Sequence, residues 1–452
     1  MHKFQFVRIG GILSLLLASS VVWSQDADFE SVLRRSLAAS PDLERQRLAM
    51  EIAALDITRA RSAFLPRMDM NIDNNRIELL GNLSSVESLQ LAGKKSGYIA
   101  QAGIKLGINL YNGGQDKARW DKAEEKLREA EMQWRRRRAD VALQVLEKHH
   151  AFELTQIDWQ VSKTKLVRVK QRLAEIQELV RLGHQAEFRL TEAELDVQDR
   201  ELDLMRRERE RSNAWKDLNA MSSQDSDITG SASNKSVTDE LPDSRAGKIN
   251  YLAILPSMDF APEMMIDEVD LATSRERSTT FDQRRARGRY GPTVDFFVKQ
   301  DQVGLDLNNY DAAFRGLSND KRYVGIAIRW NFFEGFDTWA EVNQSDLRTK
   351  SAYADLAYTR QEQERAIRDR DRLFSNTEAE LSFERQRLIV IAKRLELERL
   401  RSDVGRSEFG SFAQTETDYQ IQRFEVLRRE QTLNYLRARR ALSGDFKGGG
   451  IS

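Results

Sequence analysis

Two segments of the chain alternate apolar residues with small or polar ones, and each segment ends in a polar residue and a glycine. They cover residues 104–113 and 326–335. Alternation at a period of two predicts β-strands, and the closing glycine predicts a turn. A long charged segment without proline follows each strand, and the two glycines, Gly113 and Gly335, lie 222 positions apart. The sequence therefore predicts a duplicated unit in which a strand leads into a very long helix.

The long charged segments show the period of a coiled coil. A second pair of glycines, Gly183 and Gly405, repeats at the same offset and marks the far end of each predicted helix. About 70 residues at about 1.5 Å per residue give a rod of roughly 105 Å. A seven-residue apolar repeat predicts left-handed supercoiling of neighbouring helices. The repeat is formed by Val145, Phe152, Trp159, Leu166, Leu173 and Val180 in the first helix, and by Ile367, Phe374, Leu381, Leu388 and Leu395 in the second.

Prolines and polar turns divide the rest of the chain. Ser40 and Pro41 predict a helix start, and Pro66 and Pro292 each end a helix before a strand. The first repeat is predicted over 25–221, with strands 67–74 and 99–111, the long helix 114–182 and a return helix 186–221. A polar connector follows over 222–247. The second repeat is predicted over 248–445, with a helix to 287, strands 293–303 and 323–333, the long helix 336–403 and a return helix 407–442, before a flexible tail over 446–452.

The four predicted strands have the length and the two-faced character of membrane-spanning strands. Each has about 9–11 residues, which is what a tilted strand needs to cross a bilayer core. A soluble sheet is the alternative, but the flanking polar loops offer nothing apolar to cover it. Because the smallest barrels have about eight strands, several copies must share one barrel. The residues predicted to line its lumen are Asp69, Asn71, Lys105, Asn109, Asp295, Lys299, Arg329 and Asn331.

The N-terminus and the composition indicate that the protein is exported and restrict its partners and binding sites. A basic start, an apolar stretch and small residues before Gln25 predict a cleaved signal peptide over 1–24. The chain has 71 basic and 71 acidic residues, which argues against nucleic acid as a partner, and no cysteine, which excludes disulfides and thiolate metal sites. His149 and His150 are adjacent on a helix and point in different directions, so they do not form a metal pair. No catalytic or phosphate-binding motif is present, and we predict neither an enzyme nor a cofactor.

Together these features resemble the TolC-type outer-membrane export channels. The resemblance covers nearly the whole chain after the signal peptide. It is carried by residues 40–42 (Ser-Pro-Asp), 61–66 (Arg-Ser-Ala-Phe-Leu-Pro), 110–114 (Leu-Tyr-Asn-Gly-Gly), 330–335 (Trp-Asn-Phe-Phe-Glu-Gly), 181–183 (Arg-Leu-Gly) and 403–405 (Asp-Val-Gly). It implies a mainly α fold with a small transmembrane β part, in which three chains form a twelve-stranded barrel in outer-membrane lipid. A trimeric α-helical tunnel would continue this barrel into the periplasm.

The resemblance also implies partners and two functional sites. The distal helix turns would dock onto a periplasmic adaptor (membrane fusion) protein, which links the channel to an inner-membrane transporter or secretion ATPase. The predicted docking residues are Leu182, Gly183, His184, Val404, Gly405 and Arg406. Relatives narrow the tunnel with acidic residues at positions that match Ser411 and Gln414, so this chain lacks those acids. Glu187, Glu192 and Glu408 lie nearby and complete the set of periplasmic gate candidates.

Two functions are compatible with this pattern. The first is an outer-membrane channel-tunnel that exports substrates as part of a tripartite efflux or type I secretion system. The second is a soluble periplasmic coiled-coil scaffold or adaptor protein. An adaptor should carry a compact β-domain of the lipoyl type between its helical arms, and the sequence shows no such domain. The channel is therefore the predicted function, although the sequence does not identify its cargo.

Overall fold

A computed structural model describes residues 29–78, 96–221, 251–255, 268–306, 309–317, 319–404 and 410–443. Within these residues the chain forms nine helices and four strands. The predicted fold class, mainly α with a small β part in a duplicated unit, is confirmed. The predicted signal peptide, the connector over 222–247 and the tail over 446–452 lie outside this part of the chain.

The first repeat begins with two helices and crosses to the sheet after Pro66. Ser40 has an extended backbone and Pro41 occupies the first helical turn, where a missing N–H is harmless. The elements are α1 (Phe29–Ala39), α2 (Pro41–Arg61), a 3-10 turn (Ser62–Phe64), β1 (Arg67–Glu78), β2 (Ser96–Asn112), α3 (Gln115–Arg181) and α4 (Glu187–Ala220).

The second repeat has the same order of elements. They are α5 (Tyr251–Ile254), α6 (Glu268–Gly288), β3 (Thr293–Asp306), α7 (Tyr310–Arg315), β4 (Asn319–Arg329), α8 (Asp337–Asp403) and α9 (Ser411–Leu442). The two long helices, α3 and α8, have 67 residues each. The helix α7 has no counterpart among the described residues of the first repeat.

Two predicted boundaries of the second repeat are wrong. The last strand, predicted over 323–333, ends at Arg329, because the Trp330 indole donates to the Tyr290 carbonyl (3.0 Å) and the Asn331 amide donates to Glu334 (2.9 Å), which turns the chain out of the ladder. The return helix predicted from residue 407 begins at Ser411, because Gly410 has a φ of 81° and a right-handed helix cannot pass through that conformation.

The strands also extend further toward the hairpin connections than predicted. The first ends at Glu78 instead of residue 74, the second begins at Ser96 instead of 99, and the third ends at Asp306 instead of 303. Backbone pairing continues past the last apolar residue of each strand, as in the pair Glu78–Ser96. Polar side chains at these ends do not interrupt the ladder, because the hydrogen bonds are made by the backbone.

The four strands form one antiparallel sheet in the order β1-β2-β3-β4. Directly paired residues share a face of the sheet. The register pairs Asp69 with Lys105 and Lys105 with Lys299, so these charged residues form one row across three strands. On the opposite face Met68 pairs with Leu106, which pairs with Val298. The sheet therefore has one polar face and one apolar face.

The helices pack as bundles around the two long ones. The helices α2 and α4 contact α3, whereas α6 and α9 contact both α3 and α8. The largest core lies where the ends of α4 and α9 meet the middle of α3 and the short helices α1 and α5. Its fully buried members include Phe29, Leu146, Phe152, Leu218 and Tyr251. Among the described helices, none is both long enough and apolar enough to cross a membrane.

Candidate functional site

The polar face of the sheet gathers the residues predicted to line a lumen. Asp69, Asn71, Lys105, Asn109, Asp295, Lys299 and Arg329 share this face through the strand register. Asp295 accepts hydrogen bonds from the Asn109 amide and the Arg329 guanidinium, each at 2.8 Å. Asn331 lies beyond the end of β4, where its amide donates to Glu334, and it lines a neighbouring cavity with Asn109, Asp295 and Arg329.

A cavity of about 700 Å³ opens on this polar face. It reaches from the strand ends nearest the helices to the first turns of α3, where the Arg119 guanidinium donates to the Asp116 carboxylate (3.2 Å). The side chains around it include Arg67, Lys105, Lys299 and Arg329 as well as three aspartates. A concave wall with this mixture of charges suits a water-filled passage, because charged groups facing water keep their solvation.

Most of the apolar face of the sheet is bare. Met68 is 71% exposed, Val324 69% and Ile328 68%, and no described element covers the apolar rows to which they belong. A sheet in a water-soluble protein would bury such rows against a core. This face therefore needs a hydrophobic environment that the chain itself does not supply.

The edges of the sheet are also open. The strands β1 and β4 each have a neighbour on one side among the described residues, so each leaves one row of backbone N–H and C=O groups unpaired. Unpaired edges do not occur in the hydrocarbon of a membrane, where backbone groups must bond one another. Other copies of the chain can pair these edges and close the sheet into a barrel.

The first distal turn is a compact helix end. Gly183 has a φ of 74°, and its N–H donates to the Val180 carbonyl while the N–H of His184 donates to the Leu179 carbonyl, both at 2.9 Å. This is the Schellman arrangement, which requires a left-handed residue where glycine is favoured. Leu182 and, at the second turn, Val404 are exposed. Gly405 and Arg406 lie outside the described ranges.

The described gate candidates bond to neighbouring side chains or are exposed. Glu192 accepts a hydrogen bond from Arg189 (2.8 Å), the Ser411 hydroxyl donates to Glu398 (3.0 Å), and the Gln414 amide donates to Asp418 (3.0 Å). Glu187 is exposed in the first turn of α4. Glu408 falls in the stretch 405–409, which the structure does not describe.

The sequence analysis did not identify Arg168, which joins the first repeat to the start of α9 in the second. Arg168 of α3 is only 8% exposed. Its guanidinium donates to the Glu175 carboxylate and to the backbone carbonyl of Gly410, both at 3.0 Å. The bond to Gly410 ties α3 to the start of α9. In a chain with 71 basic residues, no local pattern distinguishes Arg168 from its neighbours.

Comparison with known proteins identifies the fold and a likeness to one family over part of the chain. Residues 32–223 match the family model described as outer membrane efflux protein. Over this stretch the chain is similar to the outer membrane efflux protein family. The recognition made from the sequence, and with it the outer-membrane location and the channel-tunnel role, is confirmed. A comparison with curated protein sequences finds no significant match.

Several solved structures share the fold of this chain. The structure of CusC, studied for its folding and transmembrane channel formation, superposes with a TM-score of 0.68 at 14% identity and covers 99% of both chains. The Campylobacter jejuni CmeC outer membrane channel gives 0.69 at 15% identity, over 94% of this chain and 87% of its own. The outer membrane protein VceC from Vibrio cholerae gives 0.65 at 15% identity, over 93% and 95%.

A buried polar cluster in the helical part of the chain involves the two adjacent histidines. His149 contacts the Tyr251 hydroxyl at 3.1 Å through Nδ1, and His150 stacks on Tyr435 with ring centroids 4.4 Å apart. Burial, followed by the proximity of His149, lowers the pKa of His150 to about 4. Burial raises the pKa of Glu153, one turn further along α3, to about 7. The histidines are thus core residues, and among the described residues no three metal-ligating side chains come together.

Glu153→Gln should stabilise the protein at high pH. Because the folded state holds the Glu153 proton more tightly than the unfolded chain, the stability linked to this proton is complete below the usual pKa of 4.5 and is lost as the pH rises through about 7. We expect the variant to gain about 2 kcal/mol over the parent at pH 8, and the gain to shrink toward pH 4.5. Thermal unfolding between pH 5 and 8 measures it.

The exposed Glu147, on the same helix, provides the matched control. Glu147→Gln removes an exposed carboxylate and so shows how much of the effect needs burial of the group. A constant difference between Glu153→Gln and the parent over this pH range would contradict the assignment of a raised pKa to the buried carboxyl.

Proposed function

We propose that the chain is one of three identical protomers of an outer-membrane channel-tunnel that exports substrates without chemistry of its own. The observation that carries the proposal is the four-stranded sheet with a mostly bare apolar face, a charged concave face and two unpaired edges. Three such sheets supply twelve strands, which is enough to close a barrel. The apolar faces then meet lipid, and the polar faces surround water.

The helical part supports the same assembly. Exposed apolar side chains of α8, such as Phe383 and Val390, lie on a helix that contacts only α6 and α9 extensively within the protomer. The exposed Ile52 and Leu55 of α2 and Leu202 of α4 offer a complementary apolar surface. Pairing α8 of one protomer with α2 and α4 of the next gives every long helix neighbours on both sides, as α3 already has.

The roles of the distal turns, the polar face and the gate candidates follow from where they lie in this assembly. The distal turns, with Leu182, Gly183, His184 and Val404 together with Gly405 and Arg406, would dock onto a periplasmic adaptor that connects the channel to an inner-membrane transporter or secretion ATPase. The polar face would form the lumen. At the periplasmic mouth, the bond between Arg168 and the Gly410 carbonyl would help to hold the tunnel closed, with Glu187, Glu192, Glu408, Ser411 and Gln414 placed around it.

A conductance measurement tests the proposal. The purified protein should require detergent, sediment as a trimer in detergent, and produce discrete conductance steps in planar lipid bilayers. A soluble periplasmic scaffold, the alternative function, would remain in the aqueous fraction without detergent and leave bilayer conductance unchanged. A monomer that is freely soluble without detergent would rule out the channel.

A further inference from the structure

The short helix α7 lies on the apolar side of the sheet. Residues at alternate positions along one strand share a face, so Ala100 and Gly304, which pair directly, belong to the same face as Leu106 and Val298. Ala313 of α7 is fully buried, and a Cβ at Gly304 would overlap the Ala313 carbonyl oxygen. The helix therefore packs on the wall that faces away from the lumen.

Close backbone packing and a contact between two tyrosine rings fix this position. Ala100 is fully buried beside Gly304, so the two small residues allow the backbone of α7 to approach the sheet. The ring of Tyr310, the first residue of α7, packs at a tilt of 56° against the ring of Tyr98 of β2, with ring centroids 4.1 Å apart. The connection between β3 and β4 is thus held against the outer wall by contacts on both strands that it covers.

The surface that α7 presents combines aromatic and charged groups. Tyr310 is 43% exposed and Phe314 48% exposed, while Asp311 and Arg315 are exposed in the same helix. At this end of the strands the outer wall itself changes from apolar to polar residues. The apolar rows give way to Asn74 and Arg76 on β1, Gln300 and Gln302 on β3, and Asp320 and Arg322 on β4.

We propose that α7 is a membrane-surface anchor that lies in the lipid headgroup layer of the outer leaflet. The inference rests on the proposed barrel, because it takes the apolar face as the lipid-facing wall. The surface of α7 continues that wall directly at its distal end. Aromatic rings with polar neighbours favour the boundary between hydrocarbon and water, and a helix lying on the surface there binds the headgroup region. The partner is therefore the lipid headgroup layer, and the connection does not fold over the lumen.

The absence of cysteine from the sequence makes the test clean. Single variants Phe314→Cys, Lys321→Cys and Val324→Cys are labelled with a small fluorophore and reconstituted as full-length protein in phosphatidylcholine–phosphatidylglycerol vesicles. Lys321 lies on β4 at a similar height to α7 but on the polar face, and Val324 lies in the apolar rows. Nitroxide lipids carry the quencher either on the headgroup or on the acyl chain.

We expect the headgroup nitroxide to quench the label at 314 at least about threefold more than the label at 321, and the acyl-chain nitroxide to quench the label at 324. If the label at 314 is as weakly quenched as that at 321 while 324 is quenched, α7 is not an anchor and the barrel stands. If the label at 324 is also unquenched, the lipid-facing wall is wrong, and both the barrel and the anchor are overturned.

Discussion

Replacing Arg168 with alanine should open the periplasmic mouth of the channel. The guanidinium is 8% exposed and is shared between the Glu175 carboxylate and the Gly410 carbonyl, each at 3.0 Å. Losing a buried charged donor removes about 2 kcal/mol from the closed arrangement, which shifts the balance between closed and open tunnels by about 30-fold. The measurement is single-channel conductance in planar bilayers, where the variant should spend most of its time in a high-conductance state.

Arg172, one turn further along α3, is the matched control because it is an exposed arginine. Arg172→Ala should keep the parent conductance. Arg168→Lys should fall between the two, because an ammonium keeps the charge but lacks the planar fork that bonds both acceptors. Equal conductance for Arg168→Ala and the parent would show that this contact does not restrain the mouth.

Gly113→Ala should severely reduce the amount of folded protein. Gly113 forms the corner between β2 and α3 with a φ of 69°, and a Cβ there would overlap the carbonyl oxygen of Gly288 at the facing corner between α6 and β3. The left-handed conformation alone costs about 1–2 kcal/mol for alanine. With the overlap added, we expect a loss of about 4 kcal/mol or more. Thermal unfolding in detergent and the yield of heat-resistant trimer on gels measure the effect.

A variant at Gly114 distinguishes the cost of the left-handed backbone from the cost of the Cβ overlap. Gly114 has a φ of 82°, but a Cβ there meets nothing within 4 Å. Gly114→Ala should therefore show only the backbone cost of about 1–2 kcal/mol and still yield trimer. If both variants were equally mild, the two corners would not be packed as closely as described.

The faces of the sheet could be predicted from the sequence, because a period of two decides which side each residue joins once one neighbour is placed. Seven of the eight predicted lumen residues share the polar face for this reason. The place of Asn331 in the ladder was wrongly predicted, since Trp330 and Phe332 continue the apolar alternation although the chain has already turned. That turn depends on Arg289, whose guanidinium bonds Glu334 and Asp337, both at 2.8 Å, and such distant ion pairs leave no local signature.

Contacts between distant parts of the chain were beyond sequence reasoning. The bond from Arg168 to Gly410 joins residues 242 positions apart. The position of α7 on the outer wall depends on Ala100 and Gly304, two small residues that could equally have marked a flexible loop. Both features depend on how separate strands and helices pack together. A periodic pattern describes each element on its own, so it does not reveal such contacts.

The exposed apolar side of α8, which includes Phe383 and Val390, has a consequence for how mutations of this chain behave genetically. Each protomer offers this helix to one neighbour and its α2 and α4 surface to the other, so one defective copy disturbs two junctions of the ring. A cell that makes damaged and intact chains together would build mostly mixed rings. In a cell given both an intact and a damaged gene, lesions on this helix should therefore behave as dominant, whereas a gene that yields no chain should be masked by the intact one.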